Sequence, residues 1–170
     1  MKFTTATRRD FVKVSSALSA TTLLSTPNVV RAKQSKELIK IGLVGIGGRG
    51  SGAAAQAMSA DENVALTAIG DLFEDRIDLR SRILQARGRD KYQVTKDSTF
   101  IGFDAYKKVI DSGVDVVILA APPCFRPQHL EYAIEKNIHC FFEKPVAVDA
   151  PGVRKVCLLY TSDAADDIPR

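Results

Sequence analysis

Lys40-Ile41-Gly42-Leu43-Val44-Gly45-Ile46-Gly47-Gly48-Arg49-Gly50 opens into Ala53-Ala54-Ala55-Gln56-Ala57-Met58, so an apolar run ends in Gly-x-Gly-x-x-Gly and gives way to helix-forming residues. That order predicts a strand, a tight turn and a helix whose first amides face a phosphate. Gly45 lets the chain leave the strand sharply, Gly47 lets backbone approach a pyrophosphate with no Cβ in the way, and Gly50 lets the helix pack closely on the sheet. Gly45, Ile46, Gly47, Gly48, Arg49 and Gly50 are therefore the candidate phosphate loop. By itself the pattern also fits an ordinary glycine-rich turn.

The second apolar run, residues 64–70, supplies the missing context. It closes on Asp71, somewhat beyond the roughly 20 residues from the first glycine at which a ribose-binding acid stands. A carboxylate at the tip of the second strand accepts from both hydroxyls of the adenosine ribose, and its charge repels a 2′-phosphate. NAD is the expected cofactor and NADP the less favoured one. Asp71-x-x-Glu74 is also a helix-start signal, and the two roles are compatible.

The chain has 170 residues, 45% of them hydrophobic, which is material for about one globular domain. A net charge of +4, with no basic stripe interleaved with aromatics, points away from nucleic acid. The two His and three Cys stand without metal-ligand spacing, so no metal is expected. Cys140 falls mid-strand and Cys124 in the loop beyond the neighbouring strand's end, too far apart for a disulfide.

Residues 1–32 begin with Arg8-Arg9 followed by Phe11-Val12-Lys13 and a Ser/Thr/Ala-diluted apolar core, with small-residue cleavage expected at Val30-Arg31-Ala32. This resembles a twin-arginine export signal, too short and polar to anchor in a bilayer. The resemblance implies the export machinery as a partner, export of a folded, cofactor-loaded protein, and a periplasmic or extracytoplasmic location. Residues 33–37 form a polar lead.

Beyond Asp71, residues 72–88 read as a second crossover helix with Phe73, Ile77 and Leu84 on one stripe and Gly88 as its stop. Arg76 and Arg80, one turn apart, either reach toward a 2′-phosphate or pair with Asp75 and Asp78 on a solvated face. Residues 92–95 are expected as a short third strand and residues 105–113, from Asp104 on, as a helix with Tyr106, Val109 and Ile110 inward. Residues 114–121 are apolar at nearly every position, as a strand covered on both faces would be. Pro122-Pro123 follows, then a helix over 127–136 capped by Asn137, and a fifth strand over 138–142. Strands alternating with helices, without hairpin signals, give the fold class as α/β with a doubly wound parallel sheet of the Rossmann type.

The fifth strand ends on Glu143-Lys144-Pro145. Gly-x-Gly-x-x-Gly, Asp71, Pro122-Pro123, His129 and Glu143-Lys144-Pro145, in that order, resemble the Gfo/Idh/MocA oxidoreductases over residues 38–156. The resemblance implies that Glu143 helps hold the nicotinamide half of the cofactor, that Lys144 is the catalytic lysine near the transferred hydride, and that Pro122, Pro123 and His129 line the cofactor cleft. It also implies a sugar, cyclitol or related polyol as substrate and a homo-oligomeric parent protein. Oxidising a carbinol requires a proton to leave oxygen as hydride leaves carbon, and an ammonium beside the nascent alkoxide stabilises it or shuttles the proton. Two other readings remain open: an NAD-dependent glycoside hydrolase on the same scaffold, which the Gly-x-Gly-x-Arg-Gly form of the loop favours, and a non-catalytic nucleotide-binding module.

A helix capped by Asp149 begins near Pro151, and residues 157–166 then read Cys-Leu-Leu-Tyr-Thr-Ser-Asp-Ala-Ala-Asp. That run resembles a translated transposase sequencing adapter. Residues 157–170 are accordingly expected to be a non-native tail on a nucleotide domain that breaks off at 156, without its last strand and without a following α/β domain. Such a fragment is expected to turn over no substrate.

Overall fold

In the computed structural model the described residues are 37–166, with side chains described to 161. The export-like segment 1–32, most of the lead and residues 167–170 lie outside them. Strand β1 (Ile39–Val44) enters helix α1 (Gly48–Ala60), followed by β2 (Val64–Asp71), α2 (Glu74–Gly88) and a 3-10 turn (Arg89–Lys91). Strand β3 (Thr99–Ile101), α3 (Ala105–Asp111), β4 (Val116–Leu119), α4 (Arg126–Glu135), β5 (His139–Phe142) and α5 (Ala150–Asp166) complete the order. The five strands pair in parallel as β3-β2-β1-β4-β5. The chain therefore reverses its direction of winding at β1 and β4, and the carboxyl ends of those strands form the crevice where such sheets bind ligands.

Both faces of the sheet are covered, as the unbroken apolar strands require. On one face Leu43, Leu66, Ile69 and Ile118 pack with Ala54 and Met58 of α1 and Ile77 and Leu84 of α2. On the other, Val44, Ala68, Val117 and Leu119 pack with Tyr106, Val109 and Ile110 of α3, Leu130 and Ala133 of α4, and Val156 of α5. Strand alternation explains most of this division. In β2 the register shifts opposite Ile41 and Gly42, so that Ile41 pairs with Leu66 and Gly42 with Ala68. The irregularity changes the phase of the pleat and puts Leu66 and Ile69 on the same face.

The third strand lies elsewhere than residues 92–95. Tyr92 forms only an isolated bridge to Leu66, while Thr99–Ile101 pairs with Ile69–Asp71. Residues 95–99 close a turn in which the Thr99 and Ser98 hydroxyls donate to the Thr95 carbonyl, and this turn interrupts the edge. Strand β4 is shorter than its apolar run: Asp115 instead turns its carboxylate to the Lys40 N–H at 2.7 Å. Asn137 does take the left-handed conformation (φ 56°), and the Asp149 carboxylate accepts the Gly152 N–H at 2.8 Å at the start of α5. Helix α5 runs without a break through Cys157 to Asp166, and Leu159 packs against the core. Cys124, Cys140 and Cys157 form no disulfide among the described residues.

Candidate functional site: a cleft at the carboxyl ends of β1, β4 and β5

The glycine loop leaves β1 where backbone from β4 is already close. At Gly45 φ is +91°, and a Cβ there would lie 2.5 Å from the Ala121 amide nitrogen. A Cβ on Gly50 would lie 2.0 Å from the Gly45 carbonyl oxygen and 3.0 Å from Ala120 Cβ, so α1 can approach the sheet only with glycine at that position. The Ser51 hydroxyl ties the turn by donating to the Ile46 and Gly47 carbonyls, each at 2.8 Å. At Gly47 the same construction meets no protein atom within 4 Å, and the residue borders the cleft. The open space beside Gly47 and the first-turn amides of α1, which have no acceptor within their own helix, suit a phosphate group of a dinucleotide.

The cleft holds about 340 Å³ and runs along the ends of β2, β1, β4 and β5. Gly45, Gly47, Arg49, Asp71, Pro122, Pro123, His129, Glu143 and Lys144 all border it, so most of the site residues read from sequence meet in one place. Three loop residues do not border it. Ile46 is fully buried in the core and its N–H donates to the Asp71 carboxylate at 2.8 Å, while Gly48 is exposed to solvent and Gly50 is buried against the sheet. Asp71 accepts a second bond from the Phe73 N–H at 3.2 Å, which makes a local turn rather than the capping box with Glu74. Phe73 precedes α2 instead of joining its buried stripe, and forms cleft wall with the Arg76 guanidinium 5.0 Å above its ring. Neither Arg76 nor Arg80 forms an ion pair with Asp75 or Asp78 among the described residues; Arg80 reaches across toward Gly48.

At the other end of the cleft, β5 delivers Glu143 buried and Lys144 exposed. Lys144 joins no ion pair among the described residues and borders the cleft. Glu143 accepts the Arg49 Nε–H at 2.7 Å across 94 residues of sequence. His129 is stacked on Tyr106, ring centroids 4.1 Å apart, and lies nearly parallel to Phe125 at 6.0 Å. Burial, then the nearby Arg126 charge, push its imidazole down to about 4, so it is a neutral wall of the cleft at neutral pH.

Arg126 escaped the sequence reading. It is buried at the first position of α4, donating to the Ala121 carbonyl at 2.8 Å and to the Pro145 carbonyl, and so ties the loop after β4 to the loop after β5. Burial lowers its pKa and the charge of Glu143 opposes that. One signal was present: a cation in the first turn of a helix opposes the helix dipole. Arg49 in α1 breaks the same rule, and both arginines converge on Glu143.

Residues 39–163 match the model of the Gfo/Idh/MocA oxidoreductase family, described as an NAD-binding Rossmann fold. No curated protein matches the chain. Among solved structures, scyllo-inositol dehydrogenase from Lactobacillus casei with bound NAD(H) and scyllo-inositol superposes with a TM-score of 0.60 at 22% identity, over 76% of this chain and 34% of the other. Myo-inositol 2-dehydrogenase from Lactobacillus plantarum gives 0.60 at 21% identity over 75% and 34%. The WlbA dehydrogenase from Bordetella pertussis, in complex with NADH and UDP-GlcNAcA, gives 0.58 at 18% identity over 75% and 33%. The chain thus spans about a third of the length of these structures.

Proposed function

The chain belongs to the Gfo/Idh/MocA oxidoreductase family, and from that premise we propose that it is the NAD-binding part of a dehydrogenase that moves hydride between nicotinamide and a sugar, cyclitol or related polyol outside the cytoplasmic membrane. The observation that carries the reading is that Gly47, Asp71 and Lys144, from three separate strand ends, border one cleft. Gly47 and the first amides of α1 hold the diphosphate, and Asp71 receives the adenosine ribose. Its carboxylate already accepts two backbone N–H groups, which fixes its orientation and places a negative charge where a 2′-phosphate would have to come. NAD is therefore preferred over NADP. When bound, the nicotinamide accepts or supplies the hydride. Lys144 stabilises negative charge on the substrate oxygen and moves its proton at Nζ. The inositol and sugar-nucleotide ligands of the related dehydrogenases support a polyhydroxylated substrate. Pro122, Pro123 and the neutral, stacked His129 give that end of the cleft a rigid, weakly polar wall.

The test is a pair of fluorescence titrations with NADH and NADPH. The expected outcome is tighter binding of NADH by the wild-type chain and, for Asp71→Ala, a loss of about tenfold for NADH with NADPH unchanged or improved. Equal losses for both cofactors would show that Asp71 serves only to hold the Ile46 and Phe73 amides. In turnover assays of a longer parent protein that carries this domain, scyllo-inositol and myo-inositol are the first substrates to try. Release of a sugar from a glycoside without net NADH formation would move the reading to an NAD-dependent hydrolase.

A further inference from the structure

The cofactor cleft is crossed by an ion pair. Arg49, second residue of α1, bonds Glu143 at the end of β5 at 2.7 Å, and its side chain is 72% exposed whereas that of Glu143 is 7% exposed. Three features make this pair exchangeable. An ion pair with one partner in water changes an equilibrium by only a few-fold. A guanidinium in the first turn of a helix stands at the positive pole of the dipole and needs an anion nearby. Glu143 would not be left without a countercharge if Arg49 departed, since the buried Arg126 guanidinium also feels its charge. The space beside Arg49, above Gly47, is the space read here as the diphosphate site, so a second and stronger anion for Arg49 enters within reach of the same side chain.

We propose that Arg49 is an exchange residue: it holds Glu143 in the free chain and passes to the diphosphate when the dinucleotide binds, so that Glu143 is an internal competitor of the cofactor and is released by it. The inference rests on the dinucleotide reading of the cleft and goes beyond it. A fixed structural bridge would make both partners favourable or neutral for binding. An exchanging bridge gives them opposite signs.

The probe is ADP-ribose, which carries the diphosphate but no nicotinamide ring, titrated into the purified chain by calorimetry; toward its second ribose, Glu143→Gln keeps a carbonyl oxygen that accepts from a hydroxyl. Arg49→Ala is expected to weaken ADP-ribose about 5- to 10-fold. Glu143→Gln, which keeps the volume of the buried side chain, is expected to tighten it about 2- to 5-fold. The double variant is expected to bind as Arg49→Ala does, because the competitor matters only while Arg49 is present. Unchanged or weaker binding by a folded Glu143→Gln chain overturns the exchange. Absence of ADP-ribose and NADH binding by the wild-type chain overturns the dinucleotide reading itself, and the exchange with it. The wild-type chain gives an independent readout: the Arg49 Nε–H resonance, assigned by its loss in Arg49→Lys, is expected to move on adding ADP-ribose and to stay in place on adding adenosine. A resonance that ignores ADP-ribose overturns the exchange.

Discussion

At the scale of single residues, His129 shows how the fold sets a protonation state that sequence cannot. Burial, then the nearby Arg126 charge, hold its pKa at about 4, whereas an unfolded histidine titrates near 6.5. Between those values the unfolded chain takes up a proton that the folded chain refuses, so stability falls as pH drops through the window, by roughly 3 kcal/mol in all, and is fully retained above it. Melting curves from pH 7 to pH 4 are expected to show that fall, and His129→Phe, which keeps an aromatic ring against Tyr106, is expected to flatten it. Equal slopes in both chains would assign the effect to other groups. Gly88 carries a different lesson about position. It does end α2, yet its φ is −80° and the left-handed residue is Arg89. A Cβ there would lie 2.7 Å from Met58 Sδ and would push the end of that flexible side chain aside, a contact between helices that no local signal announces.

At the scale of elements, Arg126 joins the ends of β4 and β5 through the Ala121 and Pro145 carbonyls. Replacing it by methionine keeps the apolar stem and removes the donors from both carbonyls, while Glu143 loses a neighbouring charge. The expected cost is about 3–5 kcal/mol in urea unfolding, with little recovery in Arg126→Lys, because a single nitrogen on a shorter stem would replace the separate Nη1 and Nη2 that reach the two carbonyls. A cost below about 1 kcal/mol would mean that the strands alone hold these loops. Helices α1 and α2 and strands β1, β2, β4 and β5 were legible from sequence because their patterning is local: apolar runs bounded by Gly, Pro and Asn. Strand β3 was not. Its three residues carry no periodicity, and the Tyr92-Gln93-Val94-Thr95 run that looks more strand-like bridges β2 only at Tyr92 before the turn at Thr95 diverts the chain.

At the scale of the whole molecule, the parallel order of the sheet makes one ligand site out of distant segments, and a ligand that bridges them should stabilise all of them. NADH at a hundred times its dissociation constant is expected to add about 2.7 kcal/mol, raising the melting temperature on the order of 10 °C. Lys144→Ala is expected to keep that rise, since Lys144 sits away from the glycine loop. Gly47→Val is expected to lose it while melting near the wild-type temperature without ligand, because its side chain would meet no protein atom near the backbone. A Gly47→Val chain that still gains stability from NADH would remove the diphosphate from that loop.

Apart from Lys144, which the family resemblance singled out, the sequence by itself determined the alternation of strands and helices, the doubly wound class, the glycine turn after β1 and the acid at the end of β2. These follow from short-range physics: glycine where backbone must turn or approach, apolar runs where a strand is covered twice, acids and prolines at strand ends. Only the tertiary structure decided that Ile46 turns inward and gives its N–H to Asp71, that a register shift puts Leu66 and Ile69 on one face, and that Arg49 and Arg126 converge on Glu143. Each of these depends on which strands lie side by side. Placing β1 between β2 and β4, with β5 beyond, brings together charges 94 residues apart, and that neighbour relation is set by packing across the sheet.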